Sequence, residues 1–385
     1  MDKVVIVMPS YNEAENIRRM IPELFEKEFP QISGAEMHLL VVDDNSPDGT
    51  GKVVEEGMKK YPNLHLLKGE KQGLGWAYIR GFKYAMDKLG ADAVMEMDAD
   101  FQHPPSFVKG MVKAYLDGAD YVIGSRYIPG GSVPSQWPIS RKAMSYFGNL
   151  FIRIVLVKPK LHDVTTGFRL TKVKGVMDHI DLEHLMEPTR FAHKVDLFYQ
   201  SVKNAKKTVE VPLEFALRTK EKSKFNPKEM IASFKVAIIL GIKDKLKFIK
   251  FGTVGFLGFL VNFLFLRVFR SIGLPEVLAW LFSTEIAIVN NYTLNNIWTF
   301  KETKIAGFKK TIVKFFQFNI TSAGALAIQS IFGPLGVKLI GQRFDYLILA
   351  VVVVFMVLPY NYFMYNVVIW KTWKIPGLGW LQKRV

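Results

Sequence analysis

Two regimes of hydrophobic patterning divide the chain. Over residues 1–225 short apolar runs alternate with amphipathic, charged stretches, whereas residues 246–370 are dominated by Phe, Leu, Ile and Val. In the first regime "KVVIVMPS" (3–10), "MHLLVVDD" (37–44), "LHLLKG" (64–69), "ADAVMEMD" (91–98) and "ADYVIGSR" (119–126) read as strands. Runs that are apolar almost throughout predict strands covered on both faces. The segments between them, 12–29, 50–60, 74–89 and 105–117, carry helical periodicity. Asn12 with Glu15 behind it has the spacing of an N-cap. Alternation of this kind predicts a mostly parallel sheet with helices on both sides, and such sheets bind ligands beyond the carboxyl ends of their strands.

The second regime contains four apolar segments near 248–269, 276–299, 312–333 and 346–370, each about the ~20 residues that span a bilayer. Gly252, Gly255 and Gly258 allow helices to approach closely. Asn262, Glu285, Asn290, Asn291, Asn295 and Asn296 are expected to face the interior of the bundle, because polar groups facing lipid are costly; for Glu285 an interfacial depth is the alternative. The junction, 226–248, sets apolar residues at helical spacing among lysines. It reads either as a helix lying in the membrane interface or as one packed on the first domain. The expected organisation is a catalytic domain at 1–225, an amphipathic interface helix or linker at 226–245, and an all-α four-helix membrane domain at 246–385.

Charge refines this picture. The formal net charge of +16 implies anionic partners. Lys243, Lys245, Lys247 and Lys250 precede the first span; Lys301, Lys304, Lys309, Lys310 and Lys314 lie between the second and third; Lys371, Lys374, Lys383 and Arg384 follow the fourth. The opposite loops carry only Arg267, Arg270, Lys338 and Arg343. The positive-inside rule then predicts an integral membrane protein with both termini and the catalytic domain in the cytoplasm. The chain has no cysteine, which excludes disulfides and thiolate metal sites. Its N-terminal apolar run is too short for a secretory signal and reads as the first strand.

The candidate chemistry sits at the strand ends: "PSYNE", "DDNSPDGT", "DADFQ" and "GSRY". The second of these is also what a self-bonded turn rich in Asp, Asn and Ser looks like. Asp98 and Asp100, two apart, would project to one side if the strand continued through them. Asp100 and Gln102 offer oxygen ligands to a hard cation, Mg²⁺ or Mn²⁺, whose shell a substrate diphosphate would complete. His103, next to two prolines, reads as structural. "GLGWAYIRG" lacks dinucleotide-binding spacing, which argues against hydride transfer.

Together "VIVMPSYNEAENI", "VVDDNSPDGT", "GLGWAYIRGF", "MDADFQHPP", "GSRY" and "DVTTGFR" resemble glycosyltransferase family 2, most closely the dolichyl-phosphate mannosyltransferases, over residues 3–225. "FGTVGFLGFLVNF" and "NNYTLNNIWTF" resemble GtrA-like membrane domains. The resemblance implies a GT-A, Rossmann-like fold, a GDP-mannose donor and one bound Mg²⁺ or Mn²⁺. It would assign Pro9, Tyr11, Glu13, Val42 and Asp44 to the nucleoside, Asp98 and Ala99 to nucleotide and sugar, Asp100 and Gln102 to the metal, and Arg126 to phosphate, with Asp100 and Arg126 the catalytic pair. Arg218 and Lys224 resemble a basic loop over the donor diphosphate. Arg169 is either a substrate contact or an ion pair supporting the fold. Arg126, with Arg141 and Ser135, would position the phosphate of a dolichyl or polyprenyl phosphate acceptor at the bilayer; nucleic acid is not an expected partner. The expected reaction inverts, giving a β-linked mannosyl lipid. The rival readings are a glucosyltransferase using UDP-glucose, a processive synthase, whose Gln-x-x-Arg-Trp element is absent, and a non-catalytic lipid-sugar flippase or scaffold.

Overall fold

The computed structural model describes residues 1–217 and 227–373. The chain forms two compact units, Met1–Ile242 and Lys243–Val385.

The first unit is built on a seven-stranded sheet of order β3-β2-β1-β4-β6-β5-β7. The strands are β1 (Asp2–Ser10), β2 (Ala35–Asp43), β3 (Leu64–Lys68), β4 (Ala93–Glu96), β5 (Tyr121–Ser125), β6 (Arg169–Lys172) and β7 (Thr208–Pro212). All pair in parallel except β6, which is antiparallel to both β4 and β5. Between the strands come helices α1 (Ala14–Pro22), α2 (Thr50–Met58), α3 (Leu74–Asp87), α4 (Val108–Leu116), α5 (Ile139–Val155) and α6 (His193–Asn204). Strand β1 shows why: Val4, Ile6 and Met8 enter the core under α1 and α4, while Val5 and Val7 enter the core under α3. Period-two alternation feeds both faces, so apolar residues are needed at every position. Strand order reverses between β1 and β4, and a cleft opens at that switch point.

Several elements depart from the sequence expectation. The helix expected at 12–29 ends as α1 at Pro22, where proline removes an amide donor. The chain continues as a π-helical turn, Glu23–Glu28. Asn12 does not cap it, because its φ is +59°. The cap comes from the next loop: Ala14 N donates to Asp48 Oδ2 at 2.9 Å and Glu13 N to Thr50 Oγ1 at 3.1 Å. Strand β4 stops at Glu96, so Asp98 and Asp100 share a turn rather than a strand face, with Phe101 at φ +61°.

The amphipathic segment expected at 226–245 is not a separate element. It is the start of α7 (Pro227–Ser271), a continuous helix of 45 residues. Ala232, Val236, Ala237 and Leu240 of this part pack with Ile152 of α5 and Val195 and Phe198 of α6, while Ile231, Ile238, Ile239 and Ile242 are exposed.

In the second unit α8 (Glu276–Leu294), α9 (Phe308–Ile340), α10 (Asp345–Val352) and α11 (Leu358–Met364) follow. Among the described residues, Lys245–Ser271, Phe308–Ile340 and Ala350–Ile369 are long and apolar enough to cross a membrane. The second expected span is helical, but two glutamates and an Asn-Asn pair in α8 keep it out of that group. Glu285 is exposed rather than interior. Asn296 does lie inside: it exchanges hydrogen bonds with Ile305 N and O and accepts one from Trp370 Nε1 at 3.2 Å. Trp370 stacks on Phe300 at 4.1 Å.

Candidate active site

A cavity of about 380 Å³ lies off the carboxyl ends of β1, β2, β4 and β5. Pro9, Tyr11, Glu13, Asp44, Asp98, Ala99, Asp100, Gln102 and Arg126 all line it. Val42 does not; its side chain is fully buried under α3, where a Cβ on Gly81 would come within 2.9 Å of it. Arg218 and Lys224 lie outside the described residues.

The acidic loop "DDNSPDGT" is largely self-bonded. Asp43 Oδ1 accepts from Ser46 N at 3.3 Å, and Asp48 Oδ1 from Thr50 N at 3.0 Å. Only Asp44 of this loop reaches the cavity. Burial raises its carboxyl above the usual range, and the Arg80 guanidinium paired with it opposes that rise. Across the cleft, Lys71 places its ammonium 3.4 Å from the centre of the Tyr11 ring.

At the turn after β4, Asp98 Oδ1 accepts from Tyr78 Oη at 3.0 Å. His103 is buried and its pKa falls to about 4, so the neutral ring accepts the Asp98 amide at Nδ1, 3.1 Å away. Asp100 Oδ1 accepts from Gln102 N at 3.1 Å, which brings both side chains to the same wall. Among the described residues no three His, Cys, Asp or Glu converge as metal ligands. An oxygen pair from Asp100 and Gln102 therefore fits a hard cation that takes most of its shell from substrate, and not a protein-enclosed metal.

Arg126 is the most constrained charge in the site. Its Nε and Nη2 meet the two oxygens of Asp163 at 2.6 and 2.7 Å, and Nη2 also donates to Thr165 Oγ1 at 2.9 Å. Burial alone would raise the Asp163 carboxyl, but the guanidinium outweighs it and holds the group below the usual range. Such a bidentate pair is rigid as well as strong. Asp163 and Thr165 enter from the loop before β6. Because β6 is antiparallel, its preceding loop reaches the edge where the other strands end.

A second cavity, about 510 Å³, shares Gln102, Arg126, Thr165, Phe191 and Phe215 with the first. Trp137, Met144, Ile152, Leu217 and Phe234 give it an apolar wall. Arg141 also lines it, its guanidinium 3.7 Å from the Trp137 ring centre. Ser135 lines neither cavity; it is exposed and donates to Gln136 Oε1 at 3.1 Å. Arg169 is fully buried and lines neither cavity. It donates to the carbonyls of Lys194 at 2.7 Å and Val164 at 2.9 Å, which is a supporting role through the main chain and not an ion pair. Sequence reasoning missed Tyr78, Arg80, Asp163, Thr165 and Lys194, whose places depend on tertiary contacts.

An acidic cleft on a GT-A-like sheet, followed by a helical membrane region, defines the class: a membrane-bound glycosyltransferase. Residues 5–179 match the Glycosyl transferase family 2 model, and residues 250–370 match GtrA/DPMS, transmembrane domain. Dolichol-phosphate mannosyltransferase of Pyrococcus furiosus is 34% identical over 81% of this chain and 85% of that protein. Polyprenol monophosphomannose synthase of Mycolicibacterium smegmatis is 35% identical over 61% of this chain and 86% of that protein. Among solved structures, glucosyl-3-phosphoglycerate synthase from Mycobacterium tuberculosis has a TM-score of 0.41 at 16% identity, over 63% of this chain and 79% of that one. The chain belongs to glycosyl transferase family 2.

Proposed function

We propose that this protein transfers mannose from GDP-mannose to the phosphate of a dolichyl or other polyprenyl phosphate, with inversion at the anomeric carbon. The names of its relatives support the sugar and the acceptor class. The observation that carries the reading is Arg126, which borders both the acidic cavity and the partly apolar one. The first suits a nucleotide sugar, with Pro9, Tyr11, Glu13 and Asp44 toward the nucleoside and Asp98 toward the sugar. The second suits a phosphate head with the start of a lipid tail, held by Arg126 and Arg141.

In the reaction a phosphate oxygen of the acceptor attacks the anomeric carbon in line. The new C–O bond forms as the bond to the GDP oxygen breaks and its electron pair departs with GDP. The acceptor's second pKa is ~6, so it arrives mostly deprotonated and no side chain has to serve as base. A divalent cation held by Asp100 and Gln102 would supply charge neutralisation on the leaving diphosphate. Arg218 and Lys224, on the resemblance alone, would add positive charge for that diphosphate. The lysines flanking the spans favour a cytoplasmic catalytic unit.

Membranes containing the protein, given radiolabelled GDP-mannose with Mg²⁺ or Mn²⁺, should yield a chloroform-soluble labelled lipid. Preference for UDP-glucose over GDP-mannose would replace the donor; no labelled lipid from either would sink the transferase reading. Polyprenyl phosphate should be used and free polyprenol should not; comparable turnover of the alcohol would mean that a base exists.

A further inference from the structure

Lys194, on α6, is among the largest fully buried side chains of the chain, and it lines the first cavity. Its ammonium has no hydrogen-bond partner among the described residues. The nearest acid is Asp98, with Lys194 Nζ 3.7 Å from Oδ1, the oxygen that also accepts from Tyr78. Phe191 and Tyr78 wall the ammonium at 5.0 and 5.3 Å. A buried cation is costly unless something nearby uses its charge; a methionine would fill this volume without that cost.

Two neighbours are arranged around it. Arg169 fixes the Lys194 carbonyl. Gly167 leaves the room the ammonium occupies, since a Cβ there would fall 2.1 Å from Nζ. The glycine and arginine of "TTGFR" thus both serve one lysine.

We infer that Lys194 is a positioning residue for donor binding: it holds the Asp98 carboxylate in the orientation that receives the sugar, and Gly167 is small so that it can. This rests on the first cavity being the nucleotide-sugar site. Lys194 acts through Asp98, because its ammonium nitrogen is buried and that carboxylate is the acid next to it. Its loss should therefore be felt by the sugar more than by the nucleotide.

The test uses the full chain in detergent and compares Lys194→Met, Gly167→Ala and the double variant. For each, the affinities for GDP and for GDP-mannose are measured by titration calorimetry, together with KM for donor and acceptor. Lys194→Met should bind GDP within about twofold of the parent, while its KM for GDP-mannose rises roughly ten- to hundredfold, the range for losing an interaction with a charged group. The acceptor KM should not move. Gly167→Ala should reproduce this by displacing the ammonium, and the double variant should be no worse than either single one. Should Lys194→Met not fold, Gly167→Ala, which leaves the lysine in place, decides the matter. Unchanged donor KM in either variant, equal losses for GDP and GDP-mannose, or additive losses in the double variant would each overturn the inference. A parent protein that binds neither GDP nor GDP-mannose would instead refute the donor assignment, a separate failure.

Discussion

Replacing Asp100 with alanine should abolish transfer while the protein stays folded, and EDTA should do the same to the parent. Undiminished turnover by Asp100→Ala would remove this residue from the site. Arg126 is a different kind of residue, because two of its nitrogens are committed to Asp163. Arg126→Ala leaves a fully buried carboxylate unpaired, which costs about 3–5 kcal/mol; thermal unfolding should record that loss as well as the loss of activity. Arg126→Lys keeps a charge but cannot reproduce the fork. Adding Asp163→Asn to Arg126→Ala should recover stability but not transfer. Equal stability of Arg126→Ala and the parent would show that the pair holds nothing together. The sequence made Asp100, Gln102 and Arg126 visible because they follow apolar runs directly. Asp163 was hidden in "DVTTGFR", where nothing local reveals which charge it meets.

At the scale of elements, one loop holds two helices. Asp48 bonds the first turn of α1 through Ala14 N and its own turn through Thr50 N. Asp48→Ala should cost about 1–3 kcal/mol, the sum of two caps, read as a drop in melting temperature; a change within error would make both bonds ornamental. Helix α6 carries an acid-sensitive group at its first residue. Burial pushes the His193 pKa down to about 3, against a hydrogen bond from Nδ1 to the Arg190 carbonyl that works the other way. The folded pKa lies below the unfolded value of ~6.5, so the neutral ring stabilises the fold above that value. That contribution is lost as pH falls from ~6.5 toward 3. The melting temperature of the parent should decline between pH 7 and 5, and His193→Gln should flatten that decline; identical pH profiles would place the acid sensitivity elsewhere. Strands β1 to β5 were legible from apolar runs. Strands β6 and β7 were not: β6 is four residues that include a buried arginine, and β7 is a half-exposed edge. Neither has the continuous apolar signal of a central strand.

For the whole molecule, the sequence places the chemistry before residue 226; the first cavity keeps to that, whereas Glu229, Met230, Ser233 and Phe234 of α7 line the second, and the residues around both still precede Ile242. Because the start of α7 packs with α5 and α6, a cut near residue 225 should expose Ile152 and Phe198 and destabilise the first unit. A cut near residue 245 should leave a fragment that binds GDP-mannose and mannosylates a short-chain acceptor. A folded fragment that binds the donor normally yet transfers nothing at any acceptor concentration would make the spans part of the site. The membrane character was readable from composition alone. The continuity of α7 was not, because a change from amphipathic to uniformly apolar residues does not mark a helix end.

One topological detail sets a dimension. Strand β6 is inserted between β4 and β5, so the turn bearing Asp98 and Asp100 and the turn bearing Arg126 stand two strand spacings apart, about 9–10 Å. Side by side they would stand about 5 Å apart, too narrow for a sugar diphosphate to lie between them. On the proposed site assignment the reversed strand would work as a gauge block, setting the width between acid and guanidinium, and a substitution that loosens β6 should blunt discrimination by substrate size before it touches the chemistry.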